Sequence, residues 1–447
     1  MKKIILALCL FALPCYAQSG DMAPKKYSLK ECVKIALENN PDLKTAKSKI
    51  DLGNEQVRAA MGALYLPSAE ISGGYNRQLN AEGEKTANIM GQIIKVAGQD
   101  PNSYQLSAGI NYSIFSGYSA TANFDRSQKQ LESYKLSSKY NEQYVKINVY
   151  KNYVDVIKKM QTLKIQKDNF ETGKVEYEAV KAKFDAGLTH IGVLSSQESE
   201  LANREYLIVQ AENELRIAQA SLLSVMGLRP DEEVAFDEES LPKEFSNSEL
   251  SDYYASHSNL EAETGKAMSE RYDIKSTKLN IDAAKDNLTY AKSGKLPKVN
   301  MSLGWSWANS ELNKFGDLGR SYVGLNFSYP LFDQFRTDYE EETAKFEIIQ
   351  NESELFKLEQ SVRSSIKTAL IILDAAKKQL EISERALNAS QKNFDINKER
   401  FNTGSASMTD YIVANNSLVN AQINRINAIY SYYIARKDLE FQTAVLQ

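Results

Sequence analysis

Four stretches of the chain alternate apolar and polar residues with a period of two. The strongest runs through Val299, Met301, Leu303, Trp305 and Trp307, with Asn300, Ser302, Gly304 and Ser306 between them. Tyr322 to Leu331 repeats it, with Val323, Leu325, Phe327, Tyr329 and Leu331 set against Gly324, Asn326 and Ser328. Tyr104 to Ile114 carries a third copy, and Ala69, Ile71, Gly73 and Tyr75 a weaker fourth. Successive strand residues point to opposite faces, so each segment predicts a ribbon with one greasy, aromatic face and one small, polar face. About ten residues of alternation suffice for a tilted strand to cross a bilayer. Trp305, Trp307, Tyr322, Leu325, Phe327, Tyr329 and Phe332 are expected on the lipid side. The inner side, mostly Ser, Asn and Gly, is expected to offer no specific binding pocket. A half-buried sheet in a water-soluble domain gives the same alternation.

Between these segments the period changes to that of helices. Ser28-Leu29-Lys30-Glu31 reads as a capping box opening a helix to Asn39-Asn40-Pro41, which resumes from Asp42 to about Leu66. A helix free of proline is expected from near Gly117 to about Ala186, with Gly173 its one interior glycine. Roughly 70 residues make a rod of about 100 Å, too long to bury its apolar stripe in one small core. Gly187-Leu188-Thr189-His190 turns the chain. The return helix carries Leu194, Leu201, Ile208, Leu215 and Leu222 at sevenfold spacing, with Ala211, Ala218 and Val225 three positions after the last three, which predicts a coiled-coil seam.

Residues 228–268 are acidic and rich in turns. Asp231, Glu232, Glu233, Asp237, Glu238 and Glu239 lack the glycine and spacing of a calcium loop, so this segment reads as a solvated connector. From about Ser269 the plan begins again: helix, strand pair, long helix Asp333 to Asn402, a turn at Gly404-Ser405-Ala406, and a last helix from Asp410. Phe115 and Phe332, Phe184 and Phe401, and Gly187 and Gly404 all stand 217 positions apart. Tyr411, Leu418, Tyr432 and Leu439 continue the seam, Arg425 interrupts it, and Ala414, Ala421, Ala428 and Ala435 form a stripe of small residues. The chain reads as an internal duplication, 18–227 and 269–447. The first strand pair is 13 residues the longer, which puts an insertion between Gln78 and Ser103.

Met1 to Ala17 reads as a secretory leader: Lys2 and Lys3, an apolar run, then Cys15-Tyr16-Ala17 as a cleavage site, with lipidation of Cys15 an open alternative. Cys32 would be the single cysteine of a mature chain, which excludes an intrachain disulfide, CxxC redox and thiolate-zinc chemistry. The net charge of −4 gives no reason to expect a nucleic-acid partner. Neither histidine, His190 or His257, has metal-ligand or triad spacing around it, so no enzyme, metal or cofactor is expected.

Four strands are too few for a closed barrel, and open edges are not tolerated in lipid. A cyclic trimer would supply twelve strands; a dimer would supply eight, in a barrel narrow enough for side chains to fill. The fold class that follows is mainly α with a transmembrane β part.

In its order of motifs the chain resembles the TolC family of outer-membrane factors. The supporting residues are Ser28-Leu29, Ala36 to Leu43, Leu66-Pro67 and Leu296-Pro297, Pro330-Leu331-Phe332-Asp333, and the turns Phe184 to Leu188 and Phe401 to Gly404. The resemblance implies a homotrimeric channel-tunnel, with a β-barrel in outer-membrane lipid and a helical barrel crossing the periplasm. Its partners would be a periplasmic adaptor and an inner-membrane pump. It further implies an acidic gate after the second turn, where Asp410 matches and Val413 stands at the second aspartate position. Gly187, Leu188, Thr189, Gly404, Ser405 and Ala406 would be the adaptor-docking turns. Asp410 at the start of a helix also reads as a simple cap. Two other readings fit the same architecture: the exit duct of a type I protein-secretion system, and a periplasmic coiled-coil scaffold or adaptor.

Overall fold

The computed structural model describes residues 26–80, 83–96, 98, 100–316 and 319–446. The expected leader lies outside them. Strand β1 (Lys26–Tyr27) precedes helix α1 (Leu29–Asn39). The capping box at its start is formed: Ser28 N donates to Glu31 Oε2 at 2.8 Å, and Glu31 N donates to Ser28 Oγ at 3.3 Å. Asn40 then caps α2 (Pro41–Tyr65), accepting from Asp42 N at 2.9 Å, with Pro41 in the first turn where no N–H is needed.

Next come β2 (Ser68–Arg77), β3 (Lys85–Ile89), β4 (Gln92–Val96) and β5 (Asn102–Phe115). The insertion is therefore a hairpin of its own, closed by Met90 and Gly91, both with positive φ as a two-residue hairpin turn requires. Helices α3 (Ser119–Asp185) and α4 (Ile191–Val225) follow, then β6 (Ala235–Phe236), α5 (Asn247–His257), α6 (Leu260–Glu270) and α7 (Tyr272–Lys292). Strands β7 (Lys298–Asn309) and β8 (Arg320–Ser328) lead into α8 (Arg336–Asn402) and α9 (Met408–Gln442).

Helices α3 and α8 both have 67 residues, and α4 and α9 both have 35. Each pair starts 217 positions apart. The left-handed residues that turn strand into helix keep the same offset: Gly117 and Tyr118 (φ 66° and 70°), then Gln334 and Phe335 (φ 60° and 63°). Helix α6 stands before α7 as α1 stands before α2, so the expected restart at 269 falls within the last turn of α6.

The four long strands form one antiparallel sheet in the order β2-β5-β7-β8. The helices joined to them pack in the matching order α2, α3, α7, α8. The sheet therefore sits at one end of a rod and the helical turns at the other. The main core lies around the middle, where Val149, Tyr153, Ile157, Leu222, Ile274, Ile366, Leu373 and Leu439 are buried. The acidic segment contributes to it, since Phe236, Leu241 and Leu250 are buried there while Asp231, Glu232, Glu233 and Glu239 stay exposed. Strand β1 pairs with β6, and Tyr153 Oη donates to Asp237 O at 2.7 Å. Cys32 is fully buried in this core, and burial pushes its thiol up to about 12, so it is inert packing.

Candidate functional site

Strand register decides what each face of the sheet presents. Directly opposed residues share a face. Ile71, Ala108 and Trp305 form one cross-strand row; Ala69, Ile110, Leu303 and Val323 form the next; Tyr112, Met301 and Leu325 a third. The apolar positions of four separate segments are thus brought into one continuous face. Val323, Leu325 and Phe327 on it are exposed, Leu325 at 72%. The other face aligns Ser72, Ser107 and Ser306, then Ser68, Asn111, Ser302 and Gly324.

Four aromatic residues expected on the lipid side stand otherwise. Trp307 is on the apolar face but only 4% exposed. Phe315 packs on its indole, whose Nε1 donates to Lys314 O at 3.0 Å, so the following loop covers a ring expected to face lipid. Trp305 is half-buried against the same Phe315. Tyr322 pairs with Gly304 and therefore stands on the polar face, because its position is even where its apolar neighbours on β8 are odd. Tyr329 is exposed but lies beyond the end of β8 at Ser328.

At the opposite end the two helical turns are built alike. Gly187 (φ 73°) donates to Phe184 O at 2.8 Å and Leu188 N to Lys183 O at 2.8 Å. Gly404 (φ 76°) donates to Phe401 O at 3.1 Å and Ser405 N to Arg400 O at 2.7 Å. Each is a helix ending that needs a left-handed residue. Leu188 and Ser405 are exposed, while Thr189 and Ala406 are half-buried. Val193 packs against a cluster of Phe394, Met408, Tyr411 and Leu418, so the two tips form one unit.

The last helix starts at Met408, two residues before the expected Asp410, and its cap is Ser407. Asp410 is the third helical residue of a capping box: Ser407 N and Oγ donate to its Oδ2 at 3.0 and 2.7 Å. Those bonds hold its carboxyl below the usual aspartate range. Val413, one turn on, is exposed.

The sequence reading missed a buried polar cluster above these tips. Arg204 is 1% exposed. Its Nη1 donates to Asn169 O at 2.9 Å and its Nε to Glu200 Oε1 at 3.2 Å, with Glu176 Oε2 3.5 Å away. Glu176 also accepts from Gln197 Nε2 and from Tyr411 Oη, and Asn415 Nδ2 donates to Asn169 Oδ1 at 2.9 Å. The cluster ties α9 to the α3–α4 hairpin. Its one trace in the sequence is the sevenfold line Gln197, Arg204, Ala211, Ala218, parallel to the leucine line. Among the described residues no group of acidic, histidine or cysteine side chains could hold a metal ion. No described helix is long and apolar enough to cross a membrane.

Comparison with known proteins agrees with this architecture. The chain is 23% identical over 415 residues to the outer membrane protein TolC of Vibrio cholerae, covering 91% of this chain and 88% of the relative. It is 22% identical to the outer membrane efflux protein BepC of Brucella suis, covering 93% and 86%. Among solved structures, the CmeC outer membrane channel of Campylobacter jejuni superposes with a TM-score of 0.75 at 16% identity, covering 99% of this chain and 94% of that one. The family described as outer membrane efflux protein matches residues 32–228 and 264–444. The chain belongs to that family: it is a non-catalytic channel-tunnel protein of an envelope-spanning transport system, in the outer membrane of a Gram-negative bacterium and extending into the periplasm.

Proposed function

We propose that the protein is the passive exit duct of a tripartite efflux system for small molecules, closed as a homotrimer. One observation carries the reading. Among the described residues the four-stranded sheet has two unpaired edges, β2 and β8, and one face on which exposed apolar residues lie in register. Bare edges are not stable in lipid, and β8 of one copy against β2 of the next would remove them. Three copies give a twelve-stranded barrel, and the two sets of elements 217 positions apart, an internal duplication, give pseudo-sixfold packing of the helices. The second repeat in this reading begins with α6 at Leu260.

A periplasmic adaptor would dock on the turns Gly187 to Thr189 and Gly404 to Ala406. The inner-membrane pump supplies the energy, and Asp410 with Val413 lines the entrance. The test is conductance in planar bilayers of detergent-extracted protein, with interchain disulfides engineered between β2 and β8. Trimer-sized crosslinked species and ion-conducting steps are expected. Leu325→Arg should cost up to about 2–4 kcal/mol in bilayer stability if that residue faces mid-membrane. A monomer that stays in solution without detergent would refute the reading.

A further inference from the structure

One cross-strand row on the polar face reads Glu70, Gly109, Gly304, Tyr322. Among the described residues of the four strands, Tyr322 is the one aromatic on that face. It occupies the space above Gly304: a Cβ there would stand 2.6 Å from its Cζ and Oη. Beside it, the space over Gly109 is open, since a Cβ there would meet only Leu303 O, at 3.8 Å. The backbone of Gly109 thus floors a notch walled by the tyrosine ring on one side and by the strand bearing Glu70 on the other. Adjacent strands are about 4.8 Å apart, so roughly 10 Å separates the backbone of Gly304, beneath the ring, from that of Glu70, and the edge of a planar aromatic ring system fits between. The polar face of these strands carries two cations, Lys298 and Arg320, both on the β7–β8 side. Neither shares the row of Glu70, whose exposed carboxylate is the one charged group in it.

We propose that this notch binds planar aromatic cations inside the barrel, the ring lying against Tyr322 and the charge at Glu70. An aromatic face and a carboxylate attract the same class of molecule by stacking, cation–π and ionic contact. The site rests on the channel reading above, which makes the polar face luminal, and it gives the barrel wall a preference of its own.

Ethidium is a suitable probe, read by fluorescence anisotropy on the full-length protein in nanodiscs, with bilayer conductance recorded on the same preparation. Saturation at one ethidium per chain is expected. Tyr322→Ala and Glu70→Gln should each weaken binding by about three- to tenfold, while Tyr322→Phe keeps it. Gly109→Leu fills the notch and should abolish binding while conductance persists. The conservative Glu70→Gln keeps the test open if the leucine variant does not fold. A conducting protein whose ethidium affinity is indifferent to Tyr322→Ala and Glu70→Gln overturns the site. An unaltered protein that does not conduct overturns the channel reading instead.

Discussion

The hairpin α3–α4 and the hairpin α8–α9 have equal lengths and the same turn, yet their interiors differ toward the tip. Gln197, Arg204, Ala211 and Ala218 are the buried line of α4; 217 positions on, Ala414, Ala421, Ala428 and Ala435 are buried on α9. Near the middle both lines are alanine. Toward the tip the first hairpin buries glutamine and arginine where the second buries two alanines. The arginine needs room, and Gly173 provides it: a Cβ there would stand 2.5 Å from Arg204 Nη1. Ser390 occupies the matching place on α8. A glycine inside a helix costs about 1 kcal/mol relative to alanine, which the first hairpin tolerates to seat the guanidinium. The return is a set of acceptors, Glu176 and Asn169, that take hydrogen bonds from Tyr411 and Asn415 of the other hairpin. One hairpin is a simple packed pair, and the other is the place where the two are joined.

Removing the arginine tests this most severely. Arg204→Ala should destabilise the helical part by about 3–5 kcal/mol, because Glu176 and Glu200 lose their cation in a largely dry site. Denaturant unfolding would measure it, and Glu176→Asn, copying Asn393 of the second hairpin, should recover part of the loss in the double variant. A loss under 1 kcal/mol would mean that the arginine is not what distinguishes the hairpins. Tyr411→Phe is next, at about 1.5–3 kcal/mol for a hydrogen bond to a carboxylate. Amide exchange should rise in the first turns of α9 and not in the sheet; uniform change across the chain would argue against a local tie.

The helix starts differ too. His190 caps α4 with no side-chain hydrogen bond, while Ser407 caps α9 with a full box. His190→Ser should stabilise by about 1 kcal/mol and Ser407→Ala cost about as much, read from the same unfolding curves. Opposite shifts are expected; equal ones would erase the contrast. The smallest effect is with pH. The Asp410 carboxyl lies below its ordinary 3.8 when folded, so its stabilisation is complete above that value and fades as pH falls through the lowered one. Exchange protection at the start of α9 should weaken in that acid range, while the start of α4 shows no such step.

The amino-acid sequence by itself determined the long elements and their order, though not the short β3, β4, β6, α5 and α6. The capping box at Ser28, the turns at Gly187 and Gly404, the two long helices and the four alternating strands all follow from periodicity and local backbone preference. These act over a few residues and need no partner. The offset of 217 was equally legible, because it is a property of the string. What only the tertiary structure decided is which side of each element is covered. The leucine line of α4 is left half-buried through Leu215 because α3 is its one substantial neighbour, whereas α9 lies between α8 and α3 and buries both of its lines. Trp307 matched the lipid pattern, yet a loop seven residues on closes over it. Burial depends on what arrives from elsewhere in the chain, and no local period encodes that.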